Sequence, residues 1–277
     1  VNITSSLESK FEKSLITVQN LYFTYKDEEY VLKNISVEID SRPTAIVGQN
    51  GAGKTTFVKL LKGLLTPSKG DIFVCGMNTK DKTVAELSKV IGLVFQNPSD
   101  QIFKSKVIDE VMFGPLNILK DKQEAYKKSI KALEIVGLNG REHDHPYDLT
   151  LSERKLLCLA SVLAMEPDIL ILDEPTIAQD RYSVKRLGEI IQELIKNGKS
   201  VITITHDMDF VLENFERTIV FNEGIIVSDG ETEKVLGDDE IIQKSHLETP
   251  WIIRLSRVLD RTPRSIFEIL ERGQENI

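Results

Sequence analysis

At 277 residues with 41% apolar content, the chain can bury one large α/β core, or one core plus a small appendage, and the second is expected. Lys and Arg number 35 against 43 Asp and Glu, a net charge of −8, so no basic face suited to nucleic acid is expected. No apolar run approaches the roughly 18 residues of a membrane span, the best candidate (156–165) stopping at Glu166-Pro167, so any membrane contact must come through a partner.

The first segment, 1–14, is polar and charged, unlike a secretory leader, which with the lack of a membrane-length apolar run predicts a cytosolic chain. Runs at 15–18, 21–25, 31–39 and 44–47 predict strands separated by charged turns. The last of these leads into Gly48-Gln49-Asn50-Gly51-Ala52-Gly53-Lys54-Thr55-Thr56, which fulfils G-x-x-x-x-G-K-[ST]. Three glycines let the backbone curl so that successive N–H groups converge on an anion. The helix beginning near Gly53 adds its positive end. Lys54 is placed to reach β- and γ-phosphates and the Thr55 hydroxyl to hold Mg²⁺. The competing reading, an ordinary glycine-rich strand-to-helix turn, loses ground to the paired acids that end a later strand.

A helix is predicted to about residue 64, ended by Thr66-Pro67. Strands at 71–74 and 90–95 flank a short helix near 84–88. From 97 to about 164 the pattern is helical, clearest over 123–136, and reads as an inserted subdomain. Alternation then resumes: a strand at 169–172, a helix over 183–196 closed by Asn197-Gly198, strands at 200–205, 218–221 and 225–228, and a helical tail. The two cysteines, Cys75 and Cys158, lie far apart in apolar stretches and are expected to be buried thiols.

The run Ile169-Leu170-Ile171-Leu172 ends in Asp173-Glu174, two acids at the tip of a buried strand, where open α/β sheets bind ligands. Strand side chains alternate, so the two acids point different ways. Asp173 suits a Mg²⁺ ligand, Glu174 the orientation or deprotonation of an attacking water. A solvated Asp-Glu turn is the bland alternative. His206 follows the strand at 200–205 and Gln96 follows the one at 90–95, both at the same predicted rim; a lone His there is otherwise a structural residue. His143-Asp144-His145 sits in a charged loop with no third ligand in view and is not expected to hold a metal.

In this order and spacing the landmarks resemble the nucleotide-binding subunits of ABC transporters, over about residues 15–235. The resemblance puts Tyr25 against adenine, makes 48–56 the Walker A segment, Gln96 the Q-loop, 169–174 the Walker B strand with catalytic Glu174, Asp180 the D-loop acid and His206 the switch histidine. Residues 95–103 and 109–117, and the tail around Thr249-Pro250-Trp251, resemble the energy-coupling factor (ECF) ATPases of cobalt, nickel and vitamin importers. Such kinship implies an α/β P-loop NTPase with a RecA-like core, an antiparallel β subdomain, an inserted helical subdomain (about 97–164) and a C-terminal helical region (236–277) that helps two ATPases pair. It implies ATP and Mg²⁺ as cofactors. Its partners are a second ATPase subunit, a transmembrane coupling subunit and a separate substrate-binding membrane subunit, with the chain peripheral at the cytoplasmic face.

One segment departs from the family pattern. Leu149, Thr150, Leu151, Ser152 and Glu153 occupy the place of the LSGGQ signature, whose Ser side chain and Gly amides close over the partner's γ-phosphate. Leu151 and Ser152 put side chains where glycine allows close approach, and Glu153 adds negative charge. Thr150-x-x-Glu153 also reads as a capping box, an ordinary helix start. A degenerate signature of this kind predicts an asymmetric heterodimer. The alternatives are a regulatory ATP-binding subunit with little catalysis and a soluble ABC ATPase outside transport. Acidic residues Asp100, Asp109 and Glu110 are expected to form a surface that receives a basic helix of the membrane partner.

Overall fold

Side-chain alternation along a buried parallel sheet divides the apolar residues of this chain between two cores. The computed structural model describes residues 14–26, 29–263 and 266. The chain runs β1 (Ile16–Phe23), β2 (Leu32–Ile39), β3 (Thr44–Gly48), α1 (Lys54–Leu61), β4 (Lys69–Val74), β5 (Met77–Asn78), α2 (Val84–Leu87) and β6 (Ile91–Val94). Three helices follow: α3 (Val107–Leu119), α4 (Lys122–Val136) and α5 (Leu151–Leu163). Then come β7 (Ile169–Asp173), α6 (Arg181–Lys196), β8 (Ser200–Ile204), α7 (Met208–Asn214), β9 (Arg217–Asn222) and β10 (Ile225–Glu231). The tail forms α8 (Thr232–Gly237), α9 (Asp239–Lys244) and α10 (Trp251–Leu259).

Six strands build the central sheet in the order β10-β9-β3-β8-β7-β6, parallel except for β10 at the edge. Four more make an antiparallel sheet, β2-β1-β4-β5. Buried on both faces, the central strands read as unbroken apolar runs, as a parallel sheet requires. Ala45, Val47, Leu170, Leu172 and Val201 face the core shared with the helices α3 to α6. Ile46, Ile169, Ile171, Ile202 and Ile204 face the other core, which takes in α1 and the antiparallel sheet. All catalytic candidates on strand ends are therefore anchored from both sides.

The two runs at 15–18 and 21–25 are not separate strands. They fuse into β1 through a register shift between Val18 and Leu21, with Asn20 left-handed at φ 48°. A bulge of this kind inserts extra residues without ending the pairing, so the polar pair Gln19-Asn20 imitates a turn in the sequence. β5, two residues long, carries no period to read. Cys158 is buried as expected, but Cys75 is exposed, because it occupies the tight turn between β4 and β5 at φ 49°.

Arg217, at the start of β9, ties the two sheets together. Its Nε and Nη2 donate to the Asp229 carboxylate at 2.7 and 2.6 Å, and Nη2 also donates to the Glu38 carbonyl at 2.8 Å. Asp40 Oδ2 lies 3.7 Å from Nη1. The arginine is 8% exposed while its acids reach solvent, so removing it costs its packing and these hydrogen bonds and does not strand a buried charge. Arg217→Ala is expected to destabilise the fold by about 1.5–3 kcal/mol, read as a lower urea midpoint with unchanged slope.

Candidate active site

The loop after β3 is shaped by backbone positions that only glycine fills without strain. Gly48 sits at φ 146°, and a Cβ there would lie 2.2 Å from the Phe221 carbonyl oxygen of β9. Gly53, at φ 97°, is the N-cap of α1, and no side chain caps the helix, which leaves first-turn N–H groups available to an anion. Lys54 is buried, and its Nζ donates to the carbonyls of Gly48 and Gln49 at 2.6 and 2.8 Å, inside the curl of the loop. Burial lowers the Lys54 pKa, while Glu174 and Asp173 oppose that shift. Around Gly51 the backbone is open, with nothing within 4 Å of where a Cβ would sit. Gln49, Asn50, Ala52 and Thr56 complete the segment, and the Ala52 N–H donates to the Gln49 carbonyl at 3.1 Å.

Two acids at the end of β7 part company, as alternation predicts. Asp173 is 4% exposed and accepts from the Thr55 hydroxyl at 3.3 Å. Burial raises its pKa, and the Thr55 hydrogen bond opposes the rise. A carboxylate and a hydroxyl facing each other beside the loop are the hard oxygen donors that Mg²⁺ takes, so these residues fit that ion. Glu174 stands just past the strand in a left-handed conformation, φ 49°, with its N–H donating to the Ile204 carbonyl at 2.8 Å. Its Oε2 lies 3.0 Å from Nδ1 of His206, which follows β8 and is largely exposed. A left-handed non-glycine residue costs about 1–3 kcal/mol, which neighbouring contacts must offset.

Tyr25 brings an aromatic ring to the same loop. Its hydroxyl shares a 3.1 Å hydrogen bond with the Thr56 hydroxyl, and its ring meets Phe23 edge-on at 4.8 Å. Gln96 is exposed, two residues beyond β6. The neighbouring amide that is tied down is Gln101: it accepts from the Phe95 N–H at 3.2 Å and donates to the Cys158 carbonyl at 2.9 Å and the Ser161 hydroxyl at 3.0 Å. Sequence reading missed Gln101, since a glutamine in a polar loop announces no contact across 57 residues. Asp180 caps α6 by accepting from the Ser183 N–H at 2.8 Å.

Residues 149–153 are a well-formed helix start. Thr150 accepts from the Glu153 N–H at 3.2 Å, and Glu153 accepts from the Thr150 N–H at 2.8 Å, a complete capping box. Glu153 also accepts from Arg141 Nη1 at 2.9 Å. Its pKa is lowered chiefly by the Thr150 N–H, so the carboxylate is held folded back and paired. Leu149 is buried, Leu151 is exposed, and Ser152 lies between. Lys155, one turn on, donates to the carbonyls of Glu174, Pro175 and Ile177 at 3.4, 3.2 and 2.6 Å.

The acidic docking surface is corrected at one residue. Glu110 is 3% exposed, and its Oε2 accepts from the N–H groups of Phe103 and Lys104 at 3.0 and 2.8 Å. It is a loop fastener, not surface charge. Asp100 and Asp109 are exposed as expected, and beside them stand exposed apolar groups: Phe103 and Phe113, edge to face at 4.8 Å, with the Lys104 ammonium about 5 Å from both rings, and Leu116 and Leu119 further along α3. Among the described residues no group of three or more His, Cys, Asp or Glu is placed to hold a metal, and His145 instead accepts from the Tyr147 N–H.

Residues 32–177 match the family model described as ABC transporter. An ABC transporter ATP-binding protein of Pyrococcus furiosus is 41% identical over 257 residues, covering 92% of this chain and 98% of that protein. The energy-coupling factor transporter ATP-binding protein EcfA of Methanocaldococcus jannaschii is 36% identical over 250 residues, 89% of this chain and 90% of that one. The solved structure of cbiO1 from Clostridium perfringens, part of the ABC transporter complex cbiONQ, superimposes with a TM-score of 0.76 at 32% identity, covering 89% of this chain and all of that one. The phosphate loop, the paired acids on β7 and these likenesses agree, and the chain belongs to the ABC transporter family as an ATP-hydrolysing subunit of the energy-coupling factor type.

Proposed function

We propose that this chain powers an ECF-type importer of a micronutrient, a vitamin or a transition-metal ion, from the cytoplasmic face of the membrane. The observation that carries the catalytic reading is the Glu174–His206 contact at 3.0 Å, set beside the Thr55–Asp173 contact at 3.3 Å on one rim of the sheet. Phosphoryl transfer to water asks little covalent chemistry of a protein and much positioning and charge. Lys54 and the loop N–H groups take the β- and γ-phosphates, and Tyr25 takes adenine. Glu174 orients or deprotonates the attacking water, and His206, held by Glu174, donates toward the γ-phosphate. Thr55, Asp173 and Gln96 are the residues that would hold Mg²⁺. That ion, when bound, supplies charge neutralisation between the phosphates.

In this reading residues 15–235 are the ATPase domain and 97–164 its helical subdomain. ABC ATPases work as dimers with membrane components. Residues 236–277 would support pairing, and α10 leaves Trp251, Val258 and Leu259 exposed; 264, 265 and 267–277 lie outside the described residues, as do 1–13 of the N-terminal extension. No described helix is long and apolar enough to cross a membrane, so attachment would run through a membrane subunit. The exposed Phe103, Phe113, Leu116 and Leu119 add an apolar surface for that subunit beside the exposed acids Asp100 and Asp109 expected from sequence to receive a basic helix. Phe113→Asp is expected to reduce co-purification of the membrane subunit while ATP affinity stays unchanged; normal assembly would refute the docking surface.

Two substitutions test the site. Lys54→Ala should abolish measurable ATP binding, whereas Glu174→Gln should keep binding and lower kcat by about 10²-fold or more. Unchanged nucleotide affinity in Lys54→Ala would overturn the assignment.

The capping box at Thr150 and Glu153 supports an asymmetric heterodimer with a partner of intact signature. This chain's Lys54, Glu174 and His206 would then serve the competent site, and its altered segment would cover the partner's nucleotide. A regulatory chain without catalysis has less support, since Glu174 and His206 are in contact. In the assembled complex, Glu174→Gln here should cost far more turnover than the matching change in the partner. The combined Thr150→Ser, Leu151→Gly, Ser152→Gly and Glu153→Gln should raise turnover at the second site. Equal losses from the two glutamate variants, measured as steady-state phosphate release, would rule the asymmetry out.

A further inference from the structure

One ammonium holds the chain segment that leaves the catalytic glutamate. We propose that Lys155 is a positioning residue for ATP hydrolysis, fixing the backbone of 174–177 so that the Glu174 carboxylate stays against His206. The inference rests on the proposed role of Glu174 in hydrolysis. Lys155 Nζ meets three carbonyl oxygens in this short stretch, those of Glu174, Pro175 and Ile177, at 3.4, 3.2 and 2.6 Å. An ammonium presents three donors and no acceptor, and three carbonyls present acceptors only, so the match uses the whole group.

The segment needs holding. It begins and ends at left-handed non-glycine residues, Glu174 at φ 49° and Ala178 at φ 56°. Such backbone persists only where surrounding contacts over-determine it. From the β8 side the chain is pinned twice, by the Glu174 N–H to the Ile204 carbonyl at 2.8 Å and by the paired hydroxyls of Thr176 and Thr205 at 3.2 Å. On the α5 side, Lys155 is the hydrogen-bonding side chain described. Half-buried Lys155 lines a small cleft together with Val94, Phe95, Leu159, Leu172 and Leu187, apolar surroundings that its methylene stem can share while the ammonium reaches the carbonyls.

Lys155 stands two residues after Glu153, in the first turns of the helix that Thr150 caps. A shift of α5 therefore moves the donor that sets the Glu174 backbone. Rate is sensitive to such displacements: a misplacement of about 1 Å can cost about 10²-fold. Because the three donors of the ammonium are taken up by main-chain oxygens, loss of Lys155 is expected to act on turnover, not on binding.

The test uses the assembled transporter complex. Lys155→Met keeps the apolar stem and removes the donors. It is expected to lower kcat for ATP by roughly 10- to 100-fold with KM and nucleotide affinity unchanged, and Lys155→Arg is expected to recover most of the loss. In a Glu174→Gln background, Lys155→Met should have no further effect on single-turnover hydrolysis, since it acts through the missing carboxylate. Lys155→Gln, shorter and neutral, serves if Lys155→Met fails to assemble, and it too should lower kcat at temperatures well below its melting point. Unchanged kcat in these variants, a raised KM with normal kcat, or an equal additional loss in the Glu174→Gln background would overturn the inference. Full turnover in Glu174→Gln alone would sink the reading of Glu174 and this inference with it, whereas loss there beside a fully active Lys155→Met sinks this inference only.

Discussion

The rim of the central sheet depends on how the chain leaves β7. The Glu174 N–H still closes the last rung of the parallel ladder, on the Ile204 carbonyl of β8, but the backbone turns left-handed at that residue and leaves the strand. Asp173 stays on the side of Thr55, and Glu174 swings to His206. Two carboxylates that are neighbours in sequence are thereby separated into two environments. Both are buried, but one lies beside a hydroxyl with its pKa raised, and the other meets an imidazole that is itself largely exposed. Such separation of like groups is how one rim can serve both a cation and a water.

This turn is affordable because the sheet behind it is clamped on both faces. Ile171 packs toward α1 and the antiparallel sheet, Leu172 toward α3 to α6, and both are essentially inaccessible to water. A strand gripped in that way cannot slip register without moving its whole set of side chains to the wrong core. The phosphate loop gains the same rigidity from Gly48, whose lack of a Cβ lets β3 close on Phe221 of β9.

Much of this was legible in the sequence where one physical requirement dominates the choice of residue. The glycines at 48, 51 and 53, the continuous apolar run before Asp173 and the polar stretch after it each have few alternative explanations, and the core strands and the phosphate loop follow from them. What escaped reading depends on contacts between distant segments. Gln101 and Lys155 look like surface residues until Cys158 and Ile177 are brought to them by the packing of α5. Glu110 misled for the opposite reason: an acid in a charged stretch reads as solvated, but the two N–H groups of Phe103 and Lys104 at a loop end outweigh the cost of burying it. Cys75 misled through its apolar neighbours, because turn geometry, not hydropathy, decides its exposure.

Pairing among Arg141, Glu153 and Thr150 bears on how this segment can change over evolutionary time. Each side chain satisfies another: the threonine and the glutamate close the box, and the arginine neutralises the glutamate. A single exchange of Glu153 for a neutral residue removes the Arg141 partner there, and an exchange of Thr150 for a residue without a hydroxyl opens the helix start, at about 1 kcal/mol. Serine at 150 and glutamine at 153 would each keep a capping box, whereas glycine at 151 or 152 would cost the first turn of α5 about 1 kcal/mol each. The cost of a return toward glycine therefore falls on the first turn of α5, at 151 and 152, and the capping pair itself presents no obstacle to it.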